Sequence, residues 1–150
     1  MSAPGPTLNG HRPTAALTLP SGGQRRRLPL AGQRRPVAVA RAFVQTALDD
    51  WSWPDQGDIV LLVAELVANT LLHADGPLEL VLDATGQRLR IEVSDGSPVL
   101  PVAREPHLPA RPGGHGLHII ACTSDRWGAA LQSWGKTVWA EIDAPAPPRP

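Results

Sequence analysis

Apolar residues recur every three or four positions from Pro36 to His73 and every second position from Leu78 to Val93. That change of period restricts the fold more than any other feature of the chain. Val37, Ala40, Val44, Ala47 and Trp51 line one helical face, and Pro36 suits a first-turn position. After Trp51-Ser52-Trp53-Pro54, a second helix starts near Asp55 or Asp58, either able to cap it, and runs to about His73. Leu78, Leu80 and Leu82 then share one face of a strand, Thr85-Gly86 turns, and Leu89, Ile91 and Val93 share a face of the next. Residues 98–112 hold five prolines and read as a long loop. Gly113-Gly114-His115-Gly116 leads into an apolar helix over 117–123, and strands near 125–132 and 136–143 flank Ser133-Trp134-Gly135. With a short edge strand at 27–30, this order predicts an α+β fold. Its form is a two-layer α/β sandwich, a mixed, mostly antiparallel sheet covered on one face by about three helices, not a doubly wound nucleotide fold.

The 150 residues suffice for one domain with a real core. Fourteen basic residues balance fourteen acidic ones, so the whole molecule is no polyelectrolyte. A single cysteine, Cys122, excludes an internal disulfide, and no Cys/His group has structural-zinc spacing. The apolar run 59–72 is broken by Glu65 and Asn69 and is too short to span a bilayer; no secretory signal opens the chain. A soluble, cytoplasmic protein without membrane contact is expected. Glycine and proline make 31 residues, so part of the chain should be irregular. The expected division is a disordered basic tail over 1–26, a domain over 27–143 and a disordered tail over 144–150. Residues 1–41 carry seven arginines and no acid. A solvated tail is the plainer reading, a contact with an acidic partner or nucleic acid the sharper one. Arg25-Arg26-Arg27 and Arg34-Arg35 lack interleaved aromatics, so direct nucleic-acid binding is not expected. Trp127, Trp134 and Trp139 read as core or sheet-face residues and Cys122 as a buried small side chain.

Three features break these rules. Glu65, Asn69 and His73 stand four apart on an otherwise apolar helix; the stripe is either an exposed face or a lining that needs a cation, a metal or a wet cleft. Continuing the face of Leu89, Ile91 and Val93 puts Asp95 on the core side, unless the strand ends at Val93 and Asp95-Gly96 is a plain turn. Gly113, Gly114 and Gly116 stand at a helix start, a natural phosphate seat, though neither a Walker sequence nor a Rossmann fingerprint is present. Together they can enclose one site.

At these residues the chain resembles the ATP-binding domain of the GHKL superfamily, of Bergerat-type fold. More closely, it resembles the stand-alone bacterial anti-sigma factor/serine-protein kinase branch (RsbW-like) in its actinobacterial form. Glu65-Leu66-Val67-Ala68-Asn69 with His73-Ala74 matches the N box, and Val93-Ser94-Asp95-Gly96 the first glycine box. Gly114-His115-Gly116-Leu117 matches the second glycine box and Gly135-Lys136-Thr137 the threonine-bearing segment. The resemblance implies ATP and magnesium as ligands: Asn69 on the metal, Asp95 at the adenine amino group, Gly114 and Gly116 letting the backbone approach the phosphates, Thr137 supporting the adenine, and Gly96, His115 and Leu117 also among the cofactor-binding residues. Glu65 stands where that branch carries its general base. Residues 97–112 would form a lid, with Arg104 or Arg111 supplying charge. Asp95-Gly96-Ser97-Pro98 is compressed and lacks the later glycine of the usual first box. The resemblance implies an ATP-binding serine/threonine kinase and anti-sigma factor acting on an anti-anti-sigma-type protein or a sigma factor, with homodimerisation open. The alternative is a non-catalytic ATP-binding partner switch.

Overall fold

The computed structural model describes residues 17–100 and 114–145, and side chains throughout them except at 114–118. The elements run β1 (Gln24–Pro29), α1 (Pro36–Asp50), α2 (Gln56–His73), β2 (Pro77–Ala84), β3 (Arg88–Asp95), α3 (Gly114–Thr123), β4 (Arg126–Gln132) and β5 (Gly135–Asp143). The strands form one sheet in the order β1-β2-β3-β5-β4, and each of these four pairings is antiparallel, so no parallel pair is present among the described residues.

Pro36 opens α1, where a missing N–H costs nothing. The helix ends in a Schellman arrangement: Trp53 N–H donates to the Leu48 carbonyl at 2.9 Å and Ser52 N–H to that of Asp49 at 3.1 Å, with Ser52 at φ 55°. The turn delivers Trp51 and Trp53 into the core rather than to solvent. Asp55 takes the N-cap position of α2 without a side-chain cap bond, and Asp58 lies in the first turn.

Period-two strands and 3.6-period helices bury one shared interior. Ala40, Val44, Ala47 and Leu48 of α1, and Ile59, Leu62, Val63, Leu66 and Val67 of α2, close over Leu80, Leu82, Leu89, Ile91, Val93 and Ala140 of the sheet. Each large apolar side chain removed from water contributes about 1.5–3 kcal/mol. The helices lie on this face, α1 and α2 against β2, α2 against β3 and α3 against β4. The other face carries charge. Arg90 donates to Glu141 at 2.8 Å, Arg126 at 2.9 Å and Arg88 at 3.3 Å, and the Arg90 guanidinium lies 4.4 Å from the Trp139 ring centre. Hydrogen bonds from Arg126 and then Arg90 hold the Glu141 carboxyl below its ordinary value, against the effect of burial.

Several expectations need correction. β1 begins at Gln24, so residues 24–26 belong to the sheet and not to a disordered tail. Arg25 pairs with Asp83 at 3.7 Å and Arg26 with Asp50 at 2.9 Å, and the neighbouring Arg27 with Glu79 at 3.8 Å, all at the surface. Leu78 is exposed because a register shift between Pro77 and Glu79 turns it off the core face. Its carbonyl accepts from both Leu30 N–H and Ala31 N–H. Cys122 is exposed, as is Trp134 at the β4–β5 turn, while Trp127 and Trp139 are half-buried. No helix among the described residues is long and apolar enough to cross a membrane.

Candidate functional site

The alternation that buries Leu89, Ile91 and Val93 carries on to Asp95, whose residue is 2% exposed. A carboxylate taken that far out of water requires compensation. It comes from β5, where Lys136 lies directly opposite in the register and donates from Nζ to Asp95 Oδ1 at 2.9 Å. Ser97 N–H donates to the same oxygen at 2.8 Å, an Asx turn that ends the strand, and Lys136 Nζ also reaches the Ser97 carbonyl at 3.4 Å. Lys136 itself is 5% exposed, so the pair is a buried one.

Glycine makes this approach possible at one position. A Cβ on Gly135 would stand 2.1 Å from the Asp95 carbonyl oxygen and 2.7 Å from Gly96 Cα, and φ there is +154°. The β4–β5 turn therefore presses on the backbone of the Asp95-Gly96 corner. Gly96 is different: it is exposed, and a Cβ there would meet only the Trp134 carbonyl at 3.9 Å, so the surrounding protein does not require glycine.

The last turn of α2 is tied to the same corner. Gly76 N–H donates to the Thr70 carbonyl at 3.1 Å, and Pro77, next in the chain, stands opposite Asp95 in the sheet. On α2, Glu65 and Asn69 occupy one half-buried face beside the core stripe, whereas His73, the third member of the expected row, is exposed. Asn69 Oδ1 is buried with no hydrogen-bond partner among the described residues. Such an orphaned acceptor costs free energy unless a donor or cation meets it. No cluster of three His, Cys, Asp or Glu side chains that could hold a metal occurs among the described residues. An amide oxygen offered singly fits magnesium, which keeps several waters and takes one or two protein oxygens beside phosphate.

The glycines expected at the phosphates open α3. The helix starts at Gly114, three residues earlier than the apolar pattern indicates, so Gly114, His115, Gly116 and Leu117 form its first turn, and α3 packs along α2. Gly113, Arg104, Arg111 and most of the expected lid lie outside the described residues.

Thr137 is not brought to Asp95. Neighbouring residues of a strand point to opposite faces, and Thr137 pairs with Ser94 on the charged side of the sheet, their hydroxyls 3.2 Å apart. The side chain that meets Asp95 is that of Lys136, which the sequence reading passed over. The signal was available in the strand's alternation: Lys136, Val138, Ala140 and Ile142 share the inner face.

The candidate site thus combines a helix face bearing a carboxylate and an unsatisfied amide oxygen, a buried strand-end aspartate joined to the end of that helix through Gly76-Pro77, and a glycine-led helix packed along it. Among solved structures, the chain is similar to that of the RsbU and RsbW domains of Rv1364c from Mycobacterium tuberculosis, with a TM-score of 0.60 and 17% identity. That match covers 82% of this chain and 33% of the other, so the chain spans about a third of that protein's length, and the likeness is one of fold. No curated protein sequence matches. Residues 31–142 match the model of the histidine kinase-like ATPase domain. That span runs from just after β1 to the last residues of β5 and takes in Glu65, Asn69, Asp95 and the first turn of α3; the chain belongs to the histidine kinase-like ATPase domain family.

Proposed function

We propose that this chain binds ATP with magnesium at the corner formed by α2, the end of β3 and the start of α3, and acts as a serine/threonine protein kinase and anti-sigma factor. The observation that carries the reading is Asp95: a carboxylate 2% exposed at the end of a strand, with one oxygen committed to Lys136 and Ser97. Its other oxygen is the acceptor for the adenine amino group. Asn69 Oδ1 holds the magnesium, which would neutralise phosphate charge when bound. Gly114 and Gly116 let the first-turn backbone of α3 approach the phosphates.

Glu65, one turn before Asn69, is the base. A substrate serine hydroxyl attacks the γ-phosphorus, its proton passes to the Glu65 carboxylate, and the bond to the ADP oxygen breaks. The substrate is an anti-anti-sigma-type protein, and a sigma factor is the alternative partner; the RsbW domain in the similar structure supports that assignment.

A specific observation favours a second reading, a partner switch that binds ATP without transferring phosphate. Glu65 has no hydrogen bond or ion pair among the described residues to orient it, although a general base acts at a defined geometry. Calorimetry with ATP and magnesium, followed by transfer of labelled phosphate to candidate partner proteins, separates the two. Asp95→Asn is expected to weaken ATP binding at least about tenfold, the scale of a lost charged hydrogen bond. Glu65→Gln is expected to keep binding and abolish transfer. ATP binding by Asp95→Asn equal to the parent's overturns the site, and transfer unchanged in Glu65→Gln overturns the base.

A further inference from the structure

We propose that Lys136 is the positioning residue of base recognition: by occupying one oxygen of Asp95 it presents the other to the amino group of a purine. The inference rests on Asp95 as the base-reading carboxylate and adds what aims it. An aspartate carboxylate turns readily about its last side-chain bond, so burial alone does not decide which oxygen faces a ligand. Here both donors converge on Oδ1, the Lys136 ammonium at 2.9 Å and the Ser97 amide at 2.8 Å, and no donor reaches Oδ2 among the described residues. Two donors on one oxygen fix the carboxylate plane and leave a single acceptor free.

The ammonium is itself held. It arrives on β5, directly across the ladder from Asp95, and its second contact, the Ser97 carbonyl at 3.4 Å, belongs to the turn that donates back to Asp95. Gly135 sets the backbone of that strand against the Asp95 carbonyl. Lys136 is the one charged group within ion-pair distance of Asp95 among the described residues. Across the ladder on the other side, β2 offers Pro77, which has neither charge nor N–H. The arrangement selects a ligand edge that donates. Adenine does so through its amino group, whereas hypoxanthine carries a carbonyl at that position and sets acceptor against acceptor.

The test compares ATP with inosine triphosphate, each with magnesium, by calorimetry on the full chain and on Lys136→Met, Lys136→Gln and Asp95→Asn. The preference for ATP is expected to fall about tenfold or more in both Lys136 variants, with inosine triphosphate affinity changed less than about threefold. A residue serving stability alone would not move this ratio, because both nucleotides bind the same folded state. Should Lys136→Met fail to fold, Lys136→Gln, polar but uncharged and one atom short of the ammonium's reach to Asp95, gives the same readout. An unchanged preference, parallel loss of both nucleotides, or tighter ATP binding in the Lys136 variants overturns the proposal. If Asp95→Asn retains the parent's preference, base reading by Asp95 fails and the role of Lys136 fails with it. If Asp95→Asn loses the preference and the Lys136 variants keep it, only the role of Lys136 falls.

Discussion

Gly135→Ala tests how tightly the β4–β5 turn must close on the Asp95 corner. The added carbon would lie 2.1 Å from the Asp95 carbonyl oxygen, 2.7 Å from Gly96 Cα and 2.8 Å from the Gly96 carbonyl carbon. Ordinary carbon–oxygen contacts begin near 3.3 Å, so the turn must retreat by roughly 1.2 Å. All three obstacles are backbone, and no rotamer change relieves them. Overpacking of this kind costs about 1–3 kcal/mol. The φ of +154°, in a region that only glycine adopts freely, adds about 1–3 kcal/mol for a residue with a Cβ, giving about 2–6 kcal/mol in all. At a urea dependence of about 2 kcal/mol per molar, the middle of the usual range, the unfolding midpoint should fall by roughly 1–3 M. Tryptophan fluorescence reports it, since Trp134 adjoins the substituted residue and Trp51 and Trp53 sit in the core. The same retreat would stretch the 2.9 Å contact from Lys136 to Asp95, so ATP binding to the folded variant should weaken as well. Gly86→Ala is the control: nothing lies within 4 Å of its added carbon, and a change within about 0.5 kcal/mol is expected. A Gly135→Ala midpoint equal to that of Gly86→Ala would refute the close approach.

Glu141→Gln should cost about 1–3 kcal/mol at pH 7, because Arg126 and Arg90 lose a charged acceptor. Glu141 has its folded-state value lowered, so its contribution is present above the ordinary carboxylate value of about 4.3 and is lost as pH falls through the lowered one; the parent and variant stability curves, followed by thermal melting, should converge at acid pH. Gly57→Ala, in the first turn of α2 with open space around the added carbon, should raise stability by about 0.4–1 kcal/mol in urea unfolding. Trp51→Ala should cost about 3–5 kcal/mol by the same assay, since the ring is 1% exposed and its Nε1–H donates to Gln24 Oε1 at 2.9 Å.

What could be read from the sequence was whatever depended on the period of a single element. Pro36 marked the start of α1 because its fixed φ and absent N–H suit only that turn. Three apolar residues at spacing two made an inward Asp95 one of two readings, a plain turn being the other, and the structure continues that face without a break. What escaped depended on a neighbour distant in sequence. Arg25, Arg26 and Arg27 looked like a solvated run because their partners Asp83, Asp50 and Glu79 lie on other elements, and it is the ladder with β2, equally invisible in the run itself, that makes the segment an edge strand. Leu78 fitted the alternation of Leu80 and Leu82, but a bulge moves one residue out of register and no side-chain pattern announces it.

Lys136 belongs between these two kinds. Its parity was legible, since Val138, Ala140 and Ile142 define the inner face of β5 and the same count sends Thr137 outward with Trp139 and Glu141. A lone lysine on an apolar face is, within its own strand, an anomaly without a cause. Only the register of β3 against β5 supplies the cause, an aspartate equally anomalous on its own strand. Each buried charge is improbable alone and accounted for by the other. Two opposite-charged residues, each on the apolar parity of a different strand, are legible as a pair where neither is legible alone, and here the pair includes the lysine that occupies one oxygen of Asp95.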